Sequence, residues 1–368
     1  MKKIPLIKPY ITEDIKTKVC EVLDSGYLTE GPVTQEFENA FRDYVGCKHA
    51  LAVCNCTVGL ETALRAMSIG IGDEVIVPDY TYPATADAVQ IAGAKIVIVD
   101  VDPKTMLIDY GSLEQAITPN TKAVIPVSLF GNPLDYNQLD KIKHKHNLLI
   151  LEDAACSIGA EFNTVKVGNH ADISVFSLHP RKFITTGEGG IITTNSSQWA
   201  DWMSSYKHFG MAASSSRSET VFERIGTNYK LSNILAAVGL VQMERIEELL
   251  SRRRDLSQNY IDMLEDCPKI SLPEVTPGGN HSYQSFCIFT KNRNKIITNM
   301  RDQGIEVQIG TYSLHMHGAF NKNPNCRIVG DMSGSRYAFD HCLCLPLYHE
   351  MTFNQQQYVV EKLLKMID

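Results

Sequence analysis

Residues 177–190 read Ser177-Leu178-His179-Pro180-Arg181-Lys182-Phe183-Ile184-Thr185-Thr186-Gly187-Glu188-Gly189-Gly190. A lysine just past an apolar strand-like run, followed by a Thr/Gly-rich turn, is placed to form an imine with a carbonyl compound. Partial burial and the adjacent Arg181 are expected to lower its pKa. The plain alternative for a single lysine is a solvated charge. A second run ends Leu149-Ile150-Leu151-Glu152-Asp153-Ala154-Ala155. On a strand the two carboxylates point to opposite faces, so at most one faces a site at the strand end. A carboxylate there needs a positive partner or solvent. Asn55-Cys56-Thr57-Val58-Gly59 joins another strand to a helix, and free N–H groups at a helix start bind phosphate. Tyr82, in Asp79-Tyr80-Thr81-Tyr82-Pro83, follows a further strand. It is either a plate that stacks on an aromatic ligand or an ordinary packed aromatic.

Together these features meet the needs of pyridoxal phosphate. Lysine forms the imine, the aspartate keeps the pyridine nitrogen protonated, and the helix start takes the phosphate. Competing chemistries lack their motifs. There is no G-x-G-x-x-G, no G-x-x-x-x-G-K-[ST] and no G-x-S-x-G, which removes the usual dinucleotide, P-loop and serine-hydrolase readings. No C-x-x-C occurs among the ten cysteines, so zinc-ribbon and redox readings lack their unit, and no metal is expected.

The elements that must position these residues are short β-branched runs: 48–55, 74–80, 95–101, 123–130, 147–155, 172–179 and 189–195. Several are continuous rather than alternating, which suits strands covered on both faces of a parallel sheet. Helix-like segments such as 57–67 and 135–145 separate them. The fold class is therefore α/β, with a mainly parallel seven-stranded sheet. Leu231 to Arg254 holds a helical apolar period for about seven turns. Its Arg252-Arg253-Arg254 end reads as a charged last turn, suited to the negative end of the helix dipole. Beyond it, 285–290, 304–310 and 342–348 are strand-like, and 352–367 is a closing helix. At 368 residues the chain exceeds what one core supports, so we expect a large cofactor-binding domain over 1–250, with an N-terminal arm, and a smaller α+β domain over 251–368.

Lys+Arg is 35 against 42 Asp+Glu, a formal net charge of −7. That balance offers no footprint for nucleic acid. No run approaches the ~20 apolar residues of a membrane span, and no secretory leader is evident in the first 16 residues. The cysteines read mostly as small buried hydrophobes, with Cys54/Cys56 and Cys342/Cys344 on strand-like stretches, and point to a reducing, cytoplasmic location.

The blocks 23–38, 71–103, 152–162, 177–190 and 226–254 closely resemble the DegT/DnrJ/EryC1/StrS family of pyridoxal-phosphate sugar aminotransferases, over nearly the whole chain. The resemblance implies a type I aminotransferase fold and a homodimer with active sites at the subunit interface. It places the cofactor aldimine on Lys182 and pairs Asp153 with the pyridinium nitrogen. Tyr82 takes the position of the stacking aromatic. Thr57 and Val58 are implied as backbone donors to the phosphate, Ser177 as a hydroxyl donor, and Asn228 as the asparagine that reaches it from the other subunit. Cys156 stands at the position that contacts the ring hydroxyl, and His315 lies in a segment bordering the sugar site. His317 and His349 are read as structural.

Three residues depart from the family pattern: Cys56 replaces Gly, Cys156 replaces Gln or His, and Phe183 replaces a polar residue. None removes a required group. The implied reaction carries an amino group from glutamate to a keto-sugar, on a nucleotide carrier, as a 4-keto-6-deoxy or a 3-keto sugar. Rival readings are a sugar dehydratase, which has His where Lys182 stands, a non-catalytic relative lacking the lysine or aspartate, and an amino-acid-only enzyme with an arginine clamp.

Overall fold

All seven β-branched runs form strands in the computed structural model, which describes residues 3–212 and 217–367. They lie side by side in the order His49–Val53, Gly190–Thr194, Ile173–Ser177, Leu149–Asp153, Thr121–Val124, Glu74–Pro78 and Lys95–Val99. An eighth strand, Cys326–Val329, joins the open side of Lys95–Val99 in parallel. The first two pairings are antiparallel and the other five parallel. Both faces are covered. Ile76, Val97, Val124, Ile150 and Phe176 pack into one apolar cluster, and Val75, Ile96, Ile98, Ala123 and Val175 into another. That is why these strands read as continuous apolar runs. The helix Cys56–Ala66 contributes Leu60, Ala63 and Leu64 to the second cluster.

A separate antiparallel sheet follows the order Ile270–Ser271, Phe286–Thr290, Cys342–Leu345 and Gln308–Ile309. The closing helix Phe353–Ile367 packs Val359, Val360 and Leu363 against it. The expected strand over 304–310 shrinks to two residues in this sheet because its first half turns to the N-terminal arm. There Ile4 N–H donates to Gly304 O, and Glu306 N–H to Ile4 O, both at 2.9 Å. A division at residue 250 does not separate the two sheets cleanly, since residues 326–329 return to the large one.

The long helix expected over 231–254 is two helices, Asn233–Met243 and Ile246–Leu264. They meet at Arg245, whose φ −114 and ψ 13 leave the helical range. The arginine run therefore lies mid-helix rather than in a last turn. Arg253 is only 2% exposed. Its guanidinium donates to the carbonyls of Tyr283, Gln284 and Leu347 and lies over the Phe183 ring, 5.6 Å from its centroid. Burial lowers its pKa to about 9.

Four cysteines are buried, five half-buried and Cys20 exposed, all as free thiols. Cys342 and Cys344 share a strand as expected. Cys54 and Cys56 do not, since the strand stops at Val53 and Cys56 opens the next helix.

Candidate active site

The carboxyl ends of the parallel strands lie along one edge of the large sheet, where α/β folds place ligands. Pro78 leads into Asp79–Tyr82, Asp153 ends its own strand, and Ser177 leads to Lys182. Val53 faces Gly190, which faces Ser177, so the Asn55 helix start shares that edge.

The lysine turn is held rigidly. Buried Gln284 donates from Nε2 to Arg181 O at 2.7 Å and accepts from Phe183 N–H at 2.6 Å, clamping the backbone on both sides of Lys182. Lys182 Nζ lies 3.1 Å from Cys156 Sγ. Burial works against its charge. The neighbouring Cys156 and Cys56 thiols and the Asp153 carboxylate outweigh this and hold the ammonium above the usual lysine range. The expected depression by Arg181 does not occur, because that side chain is exposed and donates to Gln308 Oε1 at 3.3 Å.

Glu152 and Asp153 point to opposite faces, as a strand requires. Glu152 is enclosed by Ser128, Tyr136 and Ser174 and takes no part at the edge. Asp153 accepts from Thr85 Oγ1 at 2.7 Å and from Ala155 N–H at 3.1 Å. Burial raises its pKa, against the pull of Thr85, Ala155 and Lys182. Among the described residues no lysine or arginine forms an ion pair with it. A buried carboxylate with no ion-pair partner among the described residues is suited to a cationic group brought close to it.

Asn55 caps the helix start by accepting from Val58 N–H at 3.0 Å. The structure therefore commits the Val58 donor expected for phosphate to the cap. The Thr57 N–H, among the described residues, has no protein acceptor. Gly190 makes this approach possible, since a Cβ there would sit 2.8 Å from Asn55 C and Cys56 N. Ser177 is buried, and its Oγ accepts from His179 N–H at 3.4 Å. Tyr82 is 65% exposed, so it is not packed into the core of its own chain. Its neighbouring ring is Tyr312, at 6.3 Å. Asn228 is exposed and accepts from Lys230 Nζ at 2.7 Å. His315 is fixed by fully buried Asp79, which accepts from its Nδ1 at 2.6 Å and its backbone N–H at 2.7 Å. Ser335 Oγ donates to the same carboxylate.

Residues 9–364 match the model of the DegT/DnrJ/EryC1/StrS aminotransferase family. The chain belongs to that family. It is 37% identical over 323 residues to GDP-perosamine synthase of Caulobacter vibrioides, covering 86% of each chain. It is 32% identical to the spore coat polysaccharide biosynthesis protein SpsC of Bacillus subtilis, covering 97% of this chain and 95% of that one. Among solved structures, Helicobacter pylori PseC, an aminotransferase of pseudoaminic acid biosynthesis, superposes with a TM-score of 0.94 at 26% identity, covering 100% and 99% of the two chains. The sugar aminotransferase Spr1654 of Streptococcus pneumoniae, solved in its PLP form, gives 0.91 at 28%, over 99% and 98%.

As an aminotransferase of this family, the enzyme uses pyridoxal phosphate, and the residues present fit that group. There is an amine on a clamped turn, an exposed aromatic plate and, among the described residues, a buried carboxylate without an ion-pair partner and a helix start with an unclaimed N–H. Thr85, Gln284, Gly190 and the Asp79 anchor of His315 were not singled out from sequence. Only Thr85 and Asp79 carried a signal, by lying just past a strand end.

Three expected outcomes follow from this geometry. Gly190→Ala pushes the Asn55–Cys56 backbone away, so the apoprotein should bind pyridoxal phosphate at least about tenfold more weakly by fluorescence titration, a loss of ~1.4 kcal/mol. The Lys182 amine must be neutral to attack a carbonyl. With its pKa held above the usual lysine range, the neutral amine is the minor form near neutrality, so uptake of pyridoxal phosphate should accelerate as the pH rises from about 7 to 9. Cys156→Ala removes a group that raises this pKa and should speed uptake near neutrality in stopped-flow absorbance.

Proposed function

We propose that this enzyme transfers an amino group from glutamate to a nucleotide-linked keto-sugar, with Lys182 as the catalytic residue. The observation that carries the reading is the buried Asp153 carboxylate, without an ion-pair partner among the described residues, on the same sheet edge as the Lys182 amine. Such a carboxylate matches a protonated ring nitrogen. The names of relatives support the substrate class: two are GDP-perosamine synthases.

In this reading Thr57 N–H and the Ser177 hydroxyl bind the phosphate, and Tyr82 covers the ring face. Asp153 holds the ring nitrogen in its charged form through the pairing that Thr85 orients. Cys156 lies against the lysine and borders the ring. When bound, pyridoxal phosphate supplies an electron sink for charge developing at the donor Cα. Lys182 Nζ takes the proton from that Cα as general base and returns it as acid on the acceptor side. His315, with Nδ1 bonded to Asp79, borders the sugar. A lysine at position 182, rather than histidine, favours transamination over dehydration.

We also propose a cytoplasmic homodimer with shared sites, in which Asn228 reaches the phosphate bound by the partner subunit. The exposed Tyr27, Phe209, Phe222 and Ile225 side chains supply apolar surface for that contact. Among the described residues no helix is long and apolar enough to cross a membrane.

The test is incubation with glutamate and a panel of nucleotide-linked 3- and 4-keto-sugars, read by mass spectrometry. An amino-sugar product with stoichiometric 2-oxoglutarate is expected. Loss of water from the sugar without glutamate consumption would assign a dehydratase instead.

A further inference from the structure

In a chain of net charge −7, a cleft of about 450 Å³ is lined by three cations and a single carboxylate: Lys3, Arg181, Arg301 and Glu306, with Gln308 beside them. The carboxylate is spent. Glu306 Oε1 pairs with Lys3 Nζ at 2.5 Å, and its Oε2 accepts from Leu6 N–H at 3.1 Å. Arg181 and Arg301 are left, among the described residues, without an ion pair. Arg181 Nη1 donates only to the neutral Gln308 side chain. Arg301 is steadied by Val307 O, which accepts from Nε at 3.1 Å and from Nη2 at 2.9 Å. Two guanidinium groups without an ion pair among the described residues, on a cleft of small-molecule size, are suited to a planar or tetrahedral oxyanion.

The position gives the cleft its meaning. Arg181 precedes Lys182 on the turn that Gln284 clamps. Gln308 belongs to the small sheet, where it lies opposite Cys344. An anion held here touches the lysine turn and the small sheet together.

We propose that this cleft is the oxyanion subsite of the transamination site. Arg181 and Arg301 take either a carboxylate of the amino donor or the diphosphate of the sugar nucleotide. The proposal rests on the aminotransferase reading above, and its test separates the two. Arg181→Gln and Arg181→Lys are made in the holoenzyme, and the double variant Arg181→Gln/Arg301→Gln is added. Binding of 2-oxoglutarate and of GDP is measured by calorimetry. In Arg181→Gln the Kd of at least one probe is expected to rise about tenfold or more, with Arg181→Lys in between. A rise confined to 2-oxoglutarate assigns the donor carboxylate, and one confined to GDP the diphosphate. Both probes binding within about twofold of the parent, in the single and the double variant, would overturn the subsite. So would a parent enzyme that binds neither. An Arg181-dependent affinity in an enzyme that transfers no amino group would keep the cleft and discard the transamination reading.

Discussion

Lys182→Ala is expected to abolish amino transfer, with a loss of at least about a thousandfold in multiple-turnover assays. The side chain occupies one place and no neighbour can substitute for it. Cys156 touches it at 3.1 Å, but a thiol cannot form the stable imine that an amine does. Arg181 is one residue away and exposed, and a guanidinium is not an imine-forming amine. The turn itself should survive, because Gln284 holds the backbone through atoms that alanine retains. The variant should therefore fold, bind pyridoxal phosphate non-covalently, and lack the absorbance that the cofactor gains on joining a lysine. A small exogenous amine should restore part of the proton transfer. Unchanged turnover in this variant would refute the assignment.

Asp153→Asn is expected to separate activity from stability. The carboxylate is buried, and its pKa is raised because burial disfavours its charge. A carboxylate whose folded pKa lies above its unfolded value weakens the fold at pH values above the unfolded pKa. The amide of asparagine removes that charge and can keep the bond with Thr85 Oγ1. The cofactor-free variant should therefore melt no lower than the parent in calorimetry. Its amino transfer should fall by about a hundredfold or more, since nothing then holds the ring nitrogen in its charged form. A variant with near-normal kinetics would show that Asp153 does not serve the ring.

The positions of Lys182, Asp153, Tyr82 and the Asn55 helix start were legible because each follows an apolar run, and parallel sheets collect strand ends on one edge. What escaped was set by distant chain. The break at Arg245 has no glycine or proline to mark it, and the apolar period continues through it. Arg253 reads as solvent-facing because pattern reasoning treats arginine as polar. Its burial depends on carbonyls of Tyr283, Gln284 and Leu347, which no local spacing reveals. The Val58 N–H serves a cap that Asn55 itself announces. The direction of the Lys182 shift depended on Cys156 at close range, and sequence adjacency pointed to Arg181 instead.

The strand Cys326–Val329 also has a consequence for synthesis. Its partner, Lys95–Val99, emerges about 230 residues earlier. At roughly 5–20 residues per second, the interval on the ribosome is roughly 10–50 s. During it, Lys-Ile-Val-Ile-Val is an open sheet edge, the kind of segment that nascent copies can pair with one another. The last strand to arrive thus serves as the seal on the sheet, and a chain terminated before residue 326 would be made with its most adhesive edge bare.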